Sequence, residues 1–81
     1  MRKCTVYKVT LDAQTEEGWV KGFTSCNIAI DADDRVGATT AISAAIEIKM
    51  GEYGMLKKRD REAFKALRAR TVEVLVEEVW L

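Results

Sequence analysis

Apolar and polar residues alternate over residues 4–13, where Tyr7, Val9 and Leu11 share one parity. A period of two predicts a half-buried strand. The TEEG segment at 15–18 predicts a tight turn, with Gly18 as the left-handed residue of a three-residue hairpin loop. Residues 19–30 then predict the return strand of a hairpin.

The return strand contains a conflict of parity. Trp19 and Phe23 are odd-numbered, whereas Ile28 and Ile30 are even-numbered, so a regular strand points the two pairs to opposite faces. One extra residue near Thr24–Ser25 brings all four side chains to one face. The pattern therefore predicts a β-bulge at that point.

This bulge sets an expected register for the hairpin. Tyr7 is predicted to lie near Ile28, and Leu11 near Phe23. The same register keeps the two cysteines of the chain apart, which predicts free thiols at Cys4 and Cys26.

A helix is predicted from about residue 36 to 50, capped by one of the aspartates of DADD at 31–34. Its apolar residues form two stripes, which indicates a helix lying flat on the sheet: Ile42, Ile46 and Met50, and Ala38, Ala41, Ala45 and Ile48. Glycines in the GEYG segment at 51–54 are expected to end it.

Residues 55–70 have the spacing of a second amphipathic helix, with Phe64 and Leu67 on its apolar side. Residues 71–81 are rich in β-branched side chains, which favours a third strand. A continuous helix over 56–81 is the alternative, because Leu67, Val74 and Leu81 keep a seven-residue spacing. Alternating β-branched residues argue against that helix.

The predicted fold class is therefore α+β, in the order β-β-α-α-β. We expect a single domain over residues 1–81, in which a three-stranded sheet carries two helices packed on one face.

Composition excludes several functions. The 81 residues carry 13 basic and 13 acidic side chains and no histidine, which removes the usual general base and the commonest transition-metal ligand. The DADD segment lacks the glycine and the later acid of a calcium loop. We therefore expect no enzyme activity, no cofactor and no bound metal. Two cysteines and no long apolar run predict a cytoplasmic protein without a membrane segment.

The strongest local charge feature is a basic row on the predicted second helix. Its members are Lys57, Lys58, Arg61, Lys65 and Arg68. Such a row either is the solvated side of a helix or follows a nucleic-acid backbone. No exposed aromatic residue on that helix supports base stacking.

The outer sheet face is the second candidate surface. If the helices cover the side of Tyr7 and Val9, a partly apolar set faces outward and can contact a partner or a second copy. Its members are Val6, Val20, Leu75, Val79 and Leu81. An outermost strand adds backbone groups that another chain can extend.

These features favour a small non-enzymatic protein that binds another macromolecule. In size and mixed α/β plan the chain is similar to the small inhibitors of phages and mobile elements, including anti-CRISPR proteins, a likeness that transfers no residue. The alternatives are a nucleic-acid-binding accessory protein that uses the helix at 55–70 and an obligate homodimer with joined sheets.

Overall fold

A computed structural model describes residues 1–54 and 66–81 of the chain. The elements are β1 (Lys3–Thr15), β2 (Gly18–Asp31), α1 (Gly37–Gly54) and β3 (Ala66–Trp80). The three strands form one antiparallel sheet in the order β2-β1-β3, so the first strand is the central one. The described order is β-β-α-β.

The predicted β-β-α-α-β plan with two helices is wrong, because the described residues contain one helix and residues 66–70 belong to β3. The alternative helix over 56–81 is wrong for the same reason. The remainder of the predicted second helix, at 55–65, lies outside the described residues. Within ALRAR, Leu67 and Ala69 pack against the core while Arg68 and Arg70 are exposed. This period of two prevails over the helical spacing once β1 offers a partner strand.

The hairpin turn forms where predicted. Gly18 has a φ of 116°, which confirms its left-handed conformation. The loop is shorter than predicted, however, because Thr15 pairs with Gly18 and only Glu16 and Glu17 lie between them. The Thr15 hydroxyl stabilises the turn by accepting the Glu17 N–H at 3.2 Å and donating to the Gly18 carbonyl at 3.0 Å.

The bulge in β2 lies at residues 21–23, and not at Thr24–Ser25. Asp12 is the one residue of β1 opposite this segment, and Gly22 takes a positive φ of 62° within it. Two extra residues leave the parity of β2 unchanged. Trp19 and Phe23 therefore do not join the buried Ile28 on the core face, and both are partly exposed.

The hairpin register agrees with the prediction at one end and departs from it at the other. Tyr7 pairs with Ile28 as expected, whereas Leu11 pairs with Thr24 and not with Phe23. Both cysteines are free, which confirms the predicted thiols: Cys4 lies opposite Asp31, and Cys26 lies opposite Val9.

Asp34 lies just before α1, but its contacts are not those of the predicted cap, which would accept an N–H group of the first helical turn. The Asp34 carboxylate accepts the N–H of Val36, the residue before the helix, at 2.8 Å and the Thr40 hydroxyl at 2.9 Å. The helix extends to Gly54 and not to about residue 50, so it runs through Gly51 and into the segment expected to end it. Gly51 and its neighbours keep helical geometry, because a glycine inside a helix lowers the free energy of unfolding only modestly.

The core lies between α1 and the hairpin. Ala41 and Ala45 are fully buried against Val9 and Leu11, since a methyl side chain lets the helix backbone approach the sheet closely. The helical stripes are narrower than predicted. Ile42 and Ile46 are partly buried, while the outlying members Ala38, Ile48 and Met50 are exposed.

Gly37 and Gly51 provide a matched test of this packing. A Cβ at Gly37 would lie 2.7 Å from the Tyr7 hydroxyl oxygen, whereas a Cβ at Gly51 meets no atom within 4 Å. We expect Gly37→Ala to lower the free energy of unfolding by about 1–3 kcal/mol through overpacking. Gly51→Ala should raise it by about 0.5–1 kcal/mol, because alanine is the better helix former. Urea unfolding of both variants measures the difference, and equal effects would contradict the close contact between Tyr7 and α1.

Candidate interaction surfaces

Three consecutive aliphatic residues of β3 are exposed. The accessible fraction is 52% at Val74, 47% at Leu75 and 43% at Val76. Val74 pairs with Tyr7 and Val76 pairs with Val6, so Leu75 is an extra residue in a bulge. Because neighbouring residues of β1 face opposite sides of the sheet, their partners Val74 and Val76 also do. We call these three residues the β3 edge strip.

The edge strip lies on an outer strand of the described sheet, beside a group of acids. Glu73, Glu77 and Glu78 are exposed on the same strand, and residues 71–81 include no basic residue. Lys3 Nζ lies 2.7 Å from Glu78 Oε1. The hydrogen bond and charge of Glu78 raise the pKa of Lys3, which keeps the ammonium protonated.

The predicted partner face is only partly assembled. Val6 and Val79 are half-buried and lie on neighbouring strands of one face, Leu75 is in the edge strip, and Leu81 is exposed beside Arg2 at the strand ends. Val20 instead pairs with Ala13 at the other end of β1. At about 3.3 Å per residue, it lies roughly 30 Å from the residues around Cys4.

A shallow hollow of about 590 Å³ lies beside this face, where the chain termini meet. Its lining includes Met1, Arg2, Cys4, Ala29 and Leu81. The backbone groups of Arg2 and Leu81 exchange hydrogen bonds of 2.8 and 2.9 Å, which extend the β1–β3 ladder to the last residue. The hollow is open and lies at the ends of strands, so it is a surface depression and not an enclosed binding cavity.

The other end of the sheet carries a buried carboxylate. Asp12 on β1 is 3% exposed, and its Oδ1 accepts the Gly22 N–H from the β2 bulge at 2.9 Å. Its Oδ2 lies 3.6 Å from Arg68 Nε and 3.7 Å from Arg70 Nη1, both on β3. One buried acid thus holds groups from all three strands.

The hydrogen bond from the Gly22 N–H is the largest cause of the lowered pKa of Asp12. The positive charges of Arg70 and Arg68 lower this pKa further, whereas burial of the carboxylate opposes them. The carboxylate is therefore ionised at neutral pH, although it is buried.

An aromatic ring completes this cluster. The Arg68 guanidinium carbon lies 4.0 Å from the centroid of the Trp19 ring, a cation–π distance. We call Asp12, Trp19, Arg68 and Arg70 the arginine–tryptophan cluster. Sequence reasoning missed Asp12 and Trp19 as functional candidates. A glycine inside a strand often marks a bulge, so Gly22 was the available signal.

Arg68, the last member of the predicted basic row, lies on a strand and therefore does not belong to a helical row. The four other members, Lys57, Lys58, Arg61 and Lys65, lie outside the described residues. Arg68 is the one predicted member that lies within the described structure, and it contacts Asp12 and Trp19.

The remaining chemical candidates are weak. Cys26 packs against the core, and burial raises the pKa of its thiol, which disfavours the reactive thiolate. Within residues 1–54 and 66–81, no three His, Cys, Asp or Glu side chains are grouped so as to hold a metal ion. The described helix is too polar or too short to cross a membrane.

The lowered pKa of Asp12 predicts a pH dependence. The ionised Asp12 carboxylate stabilises the fold at pH values above its pKa in the unfolded chain, which is about 3.9. This stabilisation disappears as the pH falls through the lower pKa of the folded state. Asp12→Asn should therefore destabilise the protein at pH 7. The difference in melting temperature between this variant and the wild type should shrink below about pH 4. Glu16→Gln, in the exposed turn, is the control. A difference that stays constant from pH 7 to 2 would show that the Asp12 charge contributes nothing.

Comparisons with known proteins give no further constraint. Protein-family models, curated proteins and solved structures were compared with the chain, and none of them matches it. Its function has to be inferred from its own surfaces.

Proposed function

We propose that this chain is a small non-enzymatic binding protein that docks an extended segment of another protein against the β3 edge strip. The observation that carries the proposal is the exposure of Val74, Leu75 and Val76 in succession on an outer strand. Edge strands of monomeric proteins commonly carry charges or prolines that prevent pairing. These three positions carry aliphatic side chains instead.

Aliphatic side chains of the edge strip are exposed on both faces of the sheet, which favours a strand over a helix as the docked element. Val74 and Val76 lie on opposite faces of the sheet. A strand added to the edge places alternate side chains on both faces, and its backbone uses the free groups of the edge. A helix laid on one face would cover only one of these two valines.

The charge of the strand favours a partner with basic residues. Glu73 and Glu77 flank the edge strip and are exposed. Basic side chains beside an apolar centre would complement them and increase the association rate. The partner we propose is therefore an extended segment with β-branched aliphatic residues flanked by Lys or Arg.

The wider biological setting is part of the proposal. We place the binding function in the cytoplasm, where the free thiols of Cys4 and Cys26 would stay reduced. Inhibition of a host system by a phage or mobile-element protein is the form of this function that the size of the chain suggests. Its support is limited to that likeness in size and mixed α/β plan.

A random peptide library displayed on phage tests the proposal directly. We expect the purified chain to enrich peptides with alternating aliphatic residues and flanking basic ones. A synthetic peptide of the enriched sequence should bind with micromolar affinity, measured by fluorescence anisotropy. Leu75→Glu should weaken that binding at least tenfold.

Ile48→Glu is the matched control, because Ile48 on α1 has the same 47% exposure as Leu75. It should leave peptide affinity within twofold of the wild type. A library that yields no binder, or a binder equally sensitive to both variants, would contradict the proposal. Sedimentation gives a further check, because a dimer has a mass of 18.2 kDa, twice the 9.1 kDa of the chain. A species of that mass that Leu75→Glu dissociates would show that the docked partner is a second copy of this chain and not another protein.

A further inference from the structure

We infer that the arginine–tryptophan cluster binds single-stranded nucleic acid, with a backbone phosphate on Arg68 and Arg70 and a base stacked beside Trp19. This site lies on the N-terminal half of β3, about 20 Å from the edge strip at roughly 3.3 Å per residue. It goes beyond the proposed function, because it uses different residues and a different class of ligand.

The two arginines have hydrogen-bond donors to spare for a ligand. Each guanidinium has five N–H donors, and a carboxylate can use only some of them. Both arginines approach the same oxygen of Asp12, at 3.6 and 3.7 Å, and their side chains remain 54% and 43% exposed. Two positive charges thus share one buried negative charge, which leaves a positive site open to solvent.

Asp12 preorganises the site. Asp12 is itself held by the Gly22 N–H and is almost completely buried, so it fixes both guanidinium groups from below. Arginines held by a buried partner lose less side-chain entropy when a phosphate binds than arginines that are free in solution. The cluster is therefore built to hold its cations in place.

The aromatic ring of Trp19 distinguishes between ligand classes. An acidic peptide needs cations only, whereas single-stranded nucleic acid also uses aromatic and guanidinium planes for base stacking. Trp19 is partly exposed and lies at stacking distance from Arg68. Lys21 is exposed in the adjoining bulge and adds a further positive charge. This combination favours a nucleotide unit.

A single strand fits this site better than a duplex. The cluster spans the outer end of a sheet, with Asp12 pairing with Arg68 across the strands. A base can lie against an exposed ring only if it is unstacked from its neighbours, which a single strand allows at low cost.

The test uses the full chain with Trp80→Phe, so that Trp19 is the remaining one of its two tryptophans. We expect a twelve-residue oligothymidylate to quench the emission of Trp19 and to bind more tightly at 50 mM than at 200 mM salt. Arg70→Ala should weaken binding at least tenfold and reduce the salt slope by about 0.7, the value for one phosphate contact in a single strand.

Arg35→Ala, which removes an exposed arginine from the loop before α1, is the matched control and should change affinity less than twofold. Arg68→Lys should retain the ion pair with Asp12. It should reduce the quenching of Trp19 emission, because lysine has no planar group on which a base can stack. Circular dichroism verifies folding of each variant. Equal binding of a polyglutamate peptide would assign the cluster to acidic proteins instead. No quenching of Trp19, or equal losses in Arg70→Ala and Arg35→Ala, would overturn the inference.

Discussion

The fold depends on the burial of Val9 and Leu11 of the central strand beneath Ala41 and Ala45 of α1. The four side chains are fully buried, and the two alanines let the helix lie close to the sheet. Burial of apolar surface, at about 25 cal/mol per Å², is the main source of stability for so short a chain, and these four side chains lie at its fully buried centre. The helix packs on all three strands but most extensively on β2. Val74, Leu75 and Val76 of β3 remain exposed outside this core.

The outer strands adapt to the central one. At every register shift, the extra residues belong to β2 or β3 and not to β1. Bulges at the edges of a sheet increase its twist and redirect side chains. In β3, the bulge at Leu75 places Val74 and Val76 on opposite faces, whereas a regular strand would place both on one face. The register irregularity therefore determines how the candidate protein-binding surface is divided between the two faces.

The sequence predicted the parts of the structure that depend on local periodicity. The strand at 4–13, the turn at Gly18 and the sheet strand after residue 71 all follow from patterns within one segment. It did not predict the strand at 66–70, because ALRAR satisfies a helical spacing and a strand spacing equally, and the choice depends on pairing with β1. It also misplaced the β2 bulge. Parity alone suggested Thr24–Ser25, whereas the position at Gly22 depends on a hydrogen bond to Asp12, a contact between residues on different strands.

Asp12 explains why this register is kept. A buried carboxylate without partners costs several kcal/mol, so it disfavours any arrangement that leaves it unsatisfied. Moving the β2 bulge by one residue would take the Gly22 N–H away from Asp12, and moving β3 would separate Arg68 and Arg70 from it. The same acid thus selects the pairing of both outer strands and places the arginines beside Trp19. The apolar core holds the sheet to the helix, while Asp12 sets the alignment of the strands at the hairpin end. Leu11 and Asp12 are neighbours in β1 and face opposite sides of the sheet, so the two anchors act on opposite faces of the same strand.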